Sequence, residues 1–145
     1  MDVGGGGKSQ ITADGDAREA IGLVEEDLTG AIIGAAMSVH KELGPGLLES
    51  AYQAGMCHKL KLRGIPYREQ VETPVRYKGV RLDCGYRIDL LVDHRVVVEL
   101  KSVEHILAVH EAQLMAYLRL SGVRVGLLIN FNVPALRRGI VRRIL

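Results

Sequence analysis

The chain has 145 residues, a mass of 15.9 kDa, 48% apolar residues and 25% charged residues, the usual composition of one soluble globular domain. No apolar run approaches the roughly 18 residues that a membrane span requires. With one Phe, five Tyr and no Trp, the chain has few aromatic rings, which argues against a protein that binds single-stranded nucleic acid by stacking bases on several rings. The net charge of +2 divides unevenly, because residues 1–49 carry −6 and residues 50–145 carry +8. A basic body of this kind is compatible with a phosphate backbone as partner.

The N-terminal part of the chain divides into a tail and two helices. Residues 1–18 are rich in Gly, Ser, Asp and Thr, which predicts a disordered tail ahead of a single domain over residues 19–145. Apolar residues then recur at three- and four-residue steps from about Glu25 to Leu43, which predicts an amphipathic helix ended by Gly44-Pro45-Gly46. A second helix is predicted from about Leu47 to Arg63.

The middle of the chain changes to the period of β-strands. Short runs rich in β-branched and aromatic residues alternate with turn signals, which predicts an antiparallel meander. The predicted strands are Tyr67–Val71, Val75–Tyr77, Val80–Asp83, Tyr86–Val92 and Val96–Lys101.

Helical spacing returns from about Ile106 to Leu120, and the continuous apolar run Val123–Ile129 follows it. Such a run is expected of a buried strand that is reached through a helical crossover. A last edge strand is predicted around Gly139–Leu145. The order of elements predicts an α/β domain in which a mixed β-sheet, an antiparallel meander plus a crossover strand, is flanked by α-helices.

The strand Val96–Lys101 combines an aliphatic sequence with an acid and a base. Because side chains alternate along a strand, Val97, Glu99 and Lys101 share one face. Burying a charge among valines costs several kcal/mol unless the charge is paired or bound to a metal. This face is therefore either exposed to solvent or part of a site.

The position of Asp89 relative to Glu99 depends on the turn between their strands. A two-residue turn, Asp93-His94, places Asp89 opposite Val98 and directs its carboxylate away from Glu99. A three-residue turn that includes Arg95 places Asp89 opposite Glu99. Like charges at that spacing are unfavourable unless a hard divalent cation binds between them. We therefore predict the three-residue turn, although the turn has no Gly at the left-handed position that such hairpins favour.

These residues resemble a known set. Asp89, the segment Glu99-Leu100-Lys101 and an acidic Glu49 on a preceding helix resemble the PD-(D/E)xK nuclease superfamily and, more narrowly, its GxxExxY branch. The resemblance covers about Thr29 to Leu145. It is carried further by Val39–Tyr52 (VHKELGPGLLESAY), by Gln113–Tyr117 with QxxxY spacing, and by Gly126–Phe131 (GLLINF).

The resemblance implies a restriction-endonuclease-like core and a nuclease that uses Mg²⁺ or Mn²⁺. It implies that Asp89 and Glu99 hold the metal, and that Glu49 completes the carboxylate cluster or contacts a second metal or a water. Lys101 would orient or help to deprotonate the attacking water and offset phosphate charge. Gln113 and Tyr117, one helical turn apart, would position the substrate or the lysine.

Several alternatives stay open at the level of sequence. The implied substrate is nucleic acid, DNA in preference to RNA, but a non-catalytic nucleic-acid or protein-binding module on the same fold is the alternative function. The sequence also leaves open whether the protein acts as a monomer, as a homodimer or with a protein partner. Two cysteines without a secretory signal predict free thiols and a cytoplasmic location, with no membrane partner. His40 is expected to be a hydrogen-bonded core residue.

Overall fold

The computed structural model describes residues 25–145, so the predicted tail over residues 1–18 lies outside the described residues. The helices are α1 (Glu26–Leu43), α2 (Glu49–Leu62) and α3 (Ala108–Ser121), with a 3-10 helix at Leu136–Gly139. The strands are β1 (Tyr67–Glu72), β2 (Val75–Tyr77), β3 (Val80–Leu82), β4 (Arg87–Val92), β5 (Val96–Lys101), β6 (Val125–Asn130) and β7 (Ile140–Ile144). None of the helices in residues 25–145 combines the length and the apolar character needed to cross a bilayer.

The main sheet has five strands in the order β1-β4-β5-β6-β7. Its β5–β6 pair is parallel and its other pairs are antiparallel, so the predicted mixed sheet is confirmed. Of the five strands in the predicted meander, only β1, β4 and β5 are neighbours in this sheet. Strands β2 and β3 pair with each other outside it and form a separate hairpin arm, defined here as residues 75–82. Helix α3 connects the two parallel strands, as expected for a crossover.

The sheet separates two apolar cores. Helices α1 and α2 pack on one face through residues such as Ile32 and Met56, against Val98 and Leu127 of the sheet. Helix α3 packs on the other face, where Leu114 meets a second and smaller cluster. Strand β6 is buried along its whole length, which explains why its sequence is apolar without alternation.

The turn between α1 and α2 is held by a buried tyrosine. The Tyr52 hydroxyl donates a hydrogen bond to the Gly44 carbonyl at 2.5 Å and accepts one from the Leu47 amide at 3.1 Å. Its ring stacks on Phe131 with centroids 4.4 Å apart. Nearby, His40 Nε2 lies 2.8 Å from the Val133 carbonyl oxygen, so the prediction of a hydrogen-bonded core histidine is confirmed.

Tyr52→Phe is expected to destabilise the protein by about 1–2 kcal/mol, because the ring stack remains while Gly44 and Leu47 lose their hydrogen-bond partner. Urea unfolding measures this change, and Tyr77→Phe on the exposed hairpin arm is the matched control. Equal free energies of unfolding for the Tyr52 variant and the native chain would contradict the assignment.

Candidate active site

The turn between β4 and β5 contains three residues, and it brings Asp89 opposite Glu99. Val92 pairs with Val96 and Leu90 pairs with Val98, so the same register places position 89 across from position 99. The predicted three-residue turn is confirmed. Two non-glycine residues supply its left-handed conformations, because Asp93 has φ 50° and His94 has φ 58°.

The two carboxylates replace backbone partners where β4 and β5 separate. The Asp89 amide donates to Glu99 Oε2 at 2.9 Å, and the Leu100 amide donates to Asp89 Oδ2 at 2.8 Å. Each carboxylate is therefore fixed by a main-chain N–H of the opposite strand. Within residues 25–145 no hydrogen bond goes to Glu99 Oε1, and Asp89 Oδ1 has a long contact of 3.4 Å to Gln70 Nε2. One oxygen of each carboxylate remains for a ligand.

Burial and mutual repulsion raise the proton affinity of this pair. Glu99 is 4% exposed, and its pKa is raised to about 8, first by burial and then by the charge of Asp89. Burial also raises the pKa of Asp89, against the Leu100 amide, the Gln70 amide and Lys101, which lower it. At neutral pH without a cation, the pair therefore retains a proton.

Lys101 lies two residues beyond Glu99 at the end of β5 and is half-buried. Its positive charge lowers the pKa values of both Asp89 and Glu99, which places its ammonium near the pair. Among the described residues, no salt bridge of 4.0 Å or less joins Lys101 to a carboxylate. The ammonium is therefore near the pair without being neutralised by direct contact.

Glu49 begins α2 and faces the end of β5. Its Oε2 accepts a hydrogen bond from the Ser102 amide at 3.3 Å, and the Ser102 hydroxyl donates to the Leu47 carbonyl at 2.6 Å. Its charge raises the pKa values of Asp89 and Glu99. Over residues 25–145, however, no three His, Cys, Asp or Glu side chains are close enough together to hold one ion. The structure brings Glu49 near the pair but not into a three-carboxylate cluster.

Gln113 and Tyr117 lie together on α3. Gln113 Nε2 donates to the Tyr117 hydroxyl at 3.2 Å. Burial raises the pKa of Tyr117, and the charges of Glu99 and Asp89 raise it further, which places the phenol beside the carboxylate pair. The Tyr117 ring also packs in the smaller core, so this residue has a structural role as well.

A glutamine network supports Asp89 from the side of β1, and sequence analysis did not identify it. Gln70 Nε2 donates to Gln53 Oε1 at 2.8 Å as well as to Asp89, and Gln53 in turn donates to Glu69 at 3.1 Å. Gln70 has φ 52°, a left-handed conformation that is uncommon for a residue with a side chain. No sequence pattern marks Gln70, because its role depends on this backbone conformation.

The left-handed conformation of Gln70 leads to a stability prediction. Gln70→Gly and Gln70→Ala both remove the amide, but only glycine adopts φ 52° without steric cost. We expect the alanine variant to be less stable than the glycine variant by about 1 kcal/mol. Urea unfolding of the two variants tests this, and an alanine variant at least as stable as the glycine variant would contradict it.

The donor set fits a hard divalent cation. Mg²⁺ prefers oxygen ligands and is commonly held by one or two carboxylates, with waters and phosphate oxygens completing its coordination. Asp89 Oδ1 and Glu99 Oε1 provide two such oxygen atoms. Burial raises the pKa of both groups, and the charge of Asp89 raises the pKa of Glu99 further, effects that a bound cation would offset. The pair therefore fits a metal that shares its coordination with water and substrate.

Comparison with protein families gives one match. A family model described as the PD-(D/E)XK nuclease superfamily matches residues 26–144, which cover α1 through β7. Comparisons with curated proteins and with solved structures gave no significant match. The mixed sheet, the flanking helices and this match together agree with a restriction-endonuclease-like fold. The chain therefore belongs to the PD-(D/E)XK nuclease superfamily.

Proposed function

We propose that this protein is a metal-dependent nuclease that hydrolyses phosphodiester bonds, with DNA in preference to RNA as its substrate. The observation that carries the proposal is the pair of half-buried Asp89 and buried Glu99, fixed by main-chain amides, beside Lys101. Membership of a superfamily of nucleases supports the same reaction class. The basic charge of residues 50–145 supports a polyanionic substrate.

Asp89 and Glu99 would hold Mg²⁺ or Mn²⁺, and Glu49 would contact it through a water. When bound, the metal would increase the acidity of the attacking water and stabilise charge on the phosphate. Hydrolysis consumes one water: an oxygen–phosphorus bond forms, the bond to the leaving oxygen breaks, and that oxygen takes up a proton. Lys101 would orient the water and stabilise the negative charge that develops on the phosphate oxygens.

Gln113 and Tyr117 would position the substrate from α3. Their side chains are already joined by a hydrogen bond at 3.2 Å, so the amide and the phenol are oriented before a substrate binds. Burial raises the pKa of the phenol, and the nearby charges of Glu99 and Asp89 raise it further. This arrangement supports a role in holding the nucleotide whose phosphate is attacked.

We also propose that the chain belongs to the GxxExxY branch. Gly46, Glu49 and Tyr52 occupy the three positions of that motif. Tyr52 holds the turn that leads into α2, where Glu49 is the first residue.

The free thiols of Cys57 and Cys84 support a reducing, cytoplasmic setting for the activity.

Cleavage of labelled single- and double-stranded DNA and RNA, with Mg²⁺, Mn²⁺ or EDTA, tests the proposed function. We expect cleavage that requires metal and that falls at least about 100-fold in Asp89→Asn. Asp83→Asn is the matched control, because Asp83 is exposed and pairs with Arg81 beside the hairpin arm. A native chain that cleaves none of the four substrates with either metal would contradict the proposal. Binding without cleavage would favour the non-catalytic binding module.

A further inference from the structure

A cavity lies between α3 and residues 75–86, which include the hairpin arm. Its volume is about 660 Å³, within the range of small-molecule sites. Val75 and Cys84 contribute one side, and Val109 and Leu120 of α3 contribute the other. Val109 is 64% exposed and Leu120 is 41% exposed, so this wall of the cavity presents apolar side chains to solvent.

Two residues link the cavity to the proposed active site. Gln113 and Tyr117 line the cavity. Tyr117 is also close enough to Glu99 and Asp89 for their charges to raise its pKa. Tyr86, which also lines it, precedes Asp89 by three residues in the chain. Three residues of extended chain span about 10 Å. A nucleotide whose phosphate lies at the carboxylates can therefore reach the cavity with its base.

The walls of the cavity have the chemistry that a nucleobase requires. Tyr86 is 46% exposed and meets Tyr117 edge to face, with centroids 6.5 Å apart, so one ring face remains for stacking. Gln113 uses one amide hydrogen on Tyr117. Elsewhere in residues 25–145 no hydrogen bond uses its carbonyl oxygen, which can accept from the edge of a base. A flat aromatic ligand with donors and acceptors on its edge fits both features.

We propose that this cavity binds one unpaired nucleobase of the substrate, stacked on Tyr86 and hydrogen-bonded to Gln113. The proposal rests on the proposed nuclease function and extends it, because a base can enter the cavity only when it is not paired in a duplex. One ring for one base also differs from the platform of several rings that the composition argues against. The protein would therefore favour single-stranded or locally unpaired DNA.

Fluorescence of 2-aminopurine tests the stacking directly. Single-stranded DNA oligonucleotides with one 2-aminopurine, moved along the strand, are bound to Lys101→Ala protein with Mg²⁺, and anisotropy of an end label gives occupancy. We expect quenching at one position of the probe, lost in Tyr86→Ala together with about tenfold weaker binding, and kept in Tyr86→Phe. Tyr77→Ala is the matched control, because Tyr77 is 62% exposed on the hairpin arm and does not line the cavity.

A second variant acts from the opposite wall. Ala112 of α3 lines the cavity and is exposed, so Ala112→Leu fills the space without removing a polar group. We expect it to abolish the quenching as Tyr86→Ala does. Equal quenching at equal occupancy in Lys101→Ala and in Lys101→Ala combined with Tyr86→Ala or with Ala112→Leu would overturn the base site.

Different experimental results would overturn the proposed base site and the proposed nuclease function. Cleavage by the native chain that is unchanged in Tyr86→Ala, and equal for single strands and duplexes, would overturn the base site and leave the nuclease intact. Quenching that depends on Tyr86 in a protein that cleaves nothing would support the base site and overturn the nuclease.

Discussion

Glu99→Gln is expected to stabilise the metal-free protein at pH 8 while it abolishes cleavage. The pKa of Glu99 is about 8 in the folded protein and near 4.5 in the unfolded chain, so the folded state holds an extra proton between these values. The stability of the native chain therefore falls as pH rises through this window. Glutamine carries no charge, and it can still accept the hydrogen bond from the Asp89 amide. We expect a gain of roughly 4 kcal/mol at pH 8.

Urea unfolding in EDTA at pH 5 and pH 8 measures this effect. Glu72→Gln is the matched control, because Glu72 is exposed at the end of β1. Mg²⁺ should restore stability to the native chain at pH 8 and have little effect on Glu99→Gln, because a ligand stabilises only the state that binds it. The same loss of stability between pH 5 and pH 8 in the variant and the native chain would contradict the burial argument.

Lys101→Ala is expected to reduce the rate of cleavage by about 10²–10³-fold and to leave metal binding in place. The reason is that Lys101 lies near the carboxylates without a salt bridge to them in the described part of the chain, so its charge remains for the phosphate. The effect should fall on kcat more than on KM, because negative charge develops in the transition state.

Two measurements separate this role from a structural one. Mg²⁺ should raise the melting temperature of Lys101→Ala as much as that of the native chain, and Lys61→Ala, at an exposed position of α2, should cleave normally. A variant that lost both cleavage and the response to Mg²⁺ would show that Lys101 supports the metal site instead.

The sequence predicted the elements of the fold and the register that joins the carboxylates. Strand β5 has the predicted bounds, and the expectation that a divalent cation binds between Asp89 and Glu99 selected the three-residue turn that the register shows. The amino-acid types in the turn disfavoured this prediction, because the turn has no Gly for the left-handed position. Asp93 and His94 adopt positive φ values instead, which Asp and His tolerate better than β-branched residues do.

The parts of the site that sequence could not predict depend on tertiary structure. Gln70 supports Asp89 only because its backbone is left-handed, and Ser102 meets Glu49 only because α2 begins beside the end of β5. The separation of the hairpin arm from the sheet was also beyond a pattern of alternating residues, because that pattern does not say which strands pair. The assignments of Asp89, Glu99, Lys101, Glu49, Gln113 and Tyr117 stay predictions until the variants are measured.

Because the carboxylates of Asp89 and Glu99 accept hydrogen bonds from the main chain, amide substitutions and alanine substitutions at these positions should differ in their effect on stability. An amide at position 89 or 99 can still accept the bond from the opposite strand, so Asp89→Asn and Glu99→Gln are expected to lose activity and keep the fold. An alanine leaves a main-chain N–H without its acceptor, at a cost of about 1–3 kcal/mol when buried. Inactive descendants that keep this fold for binding should therefore carry Asn or Gln at these positions more often than aliphatic residues.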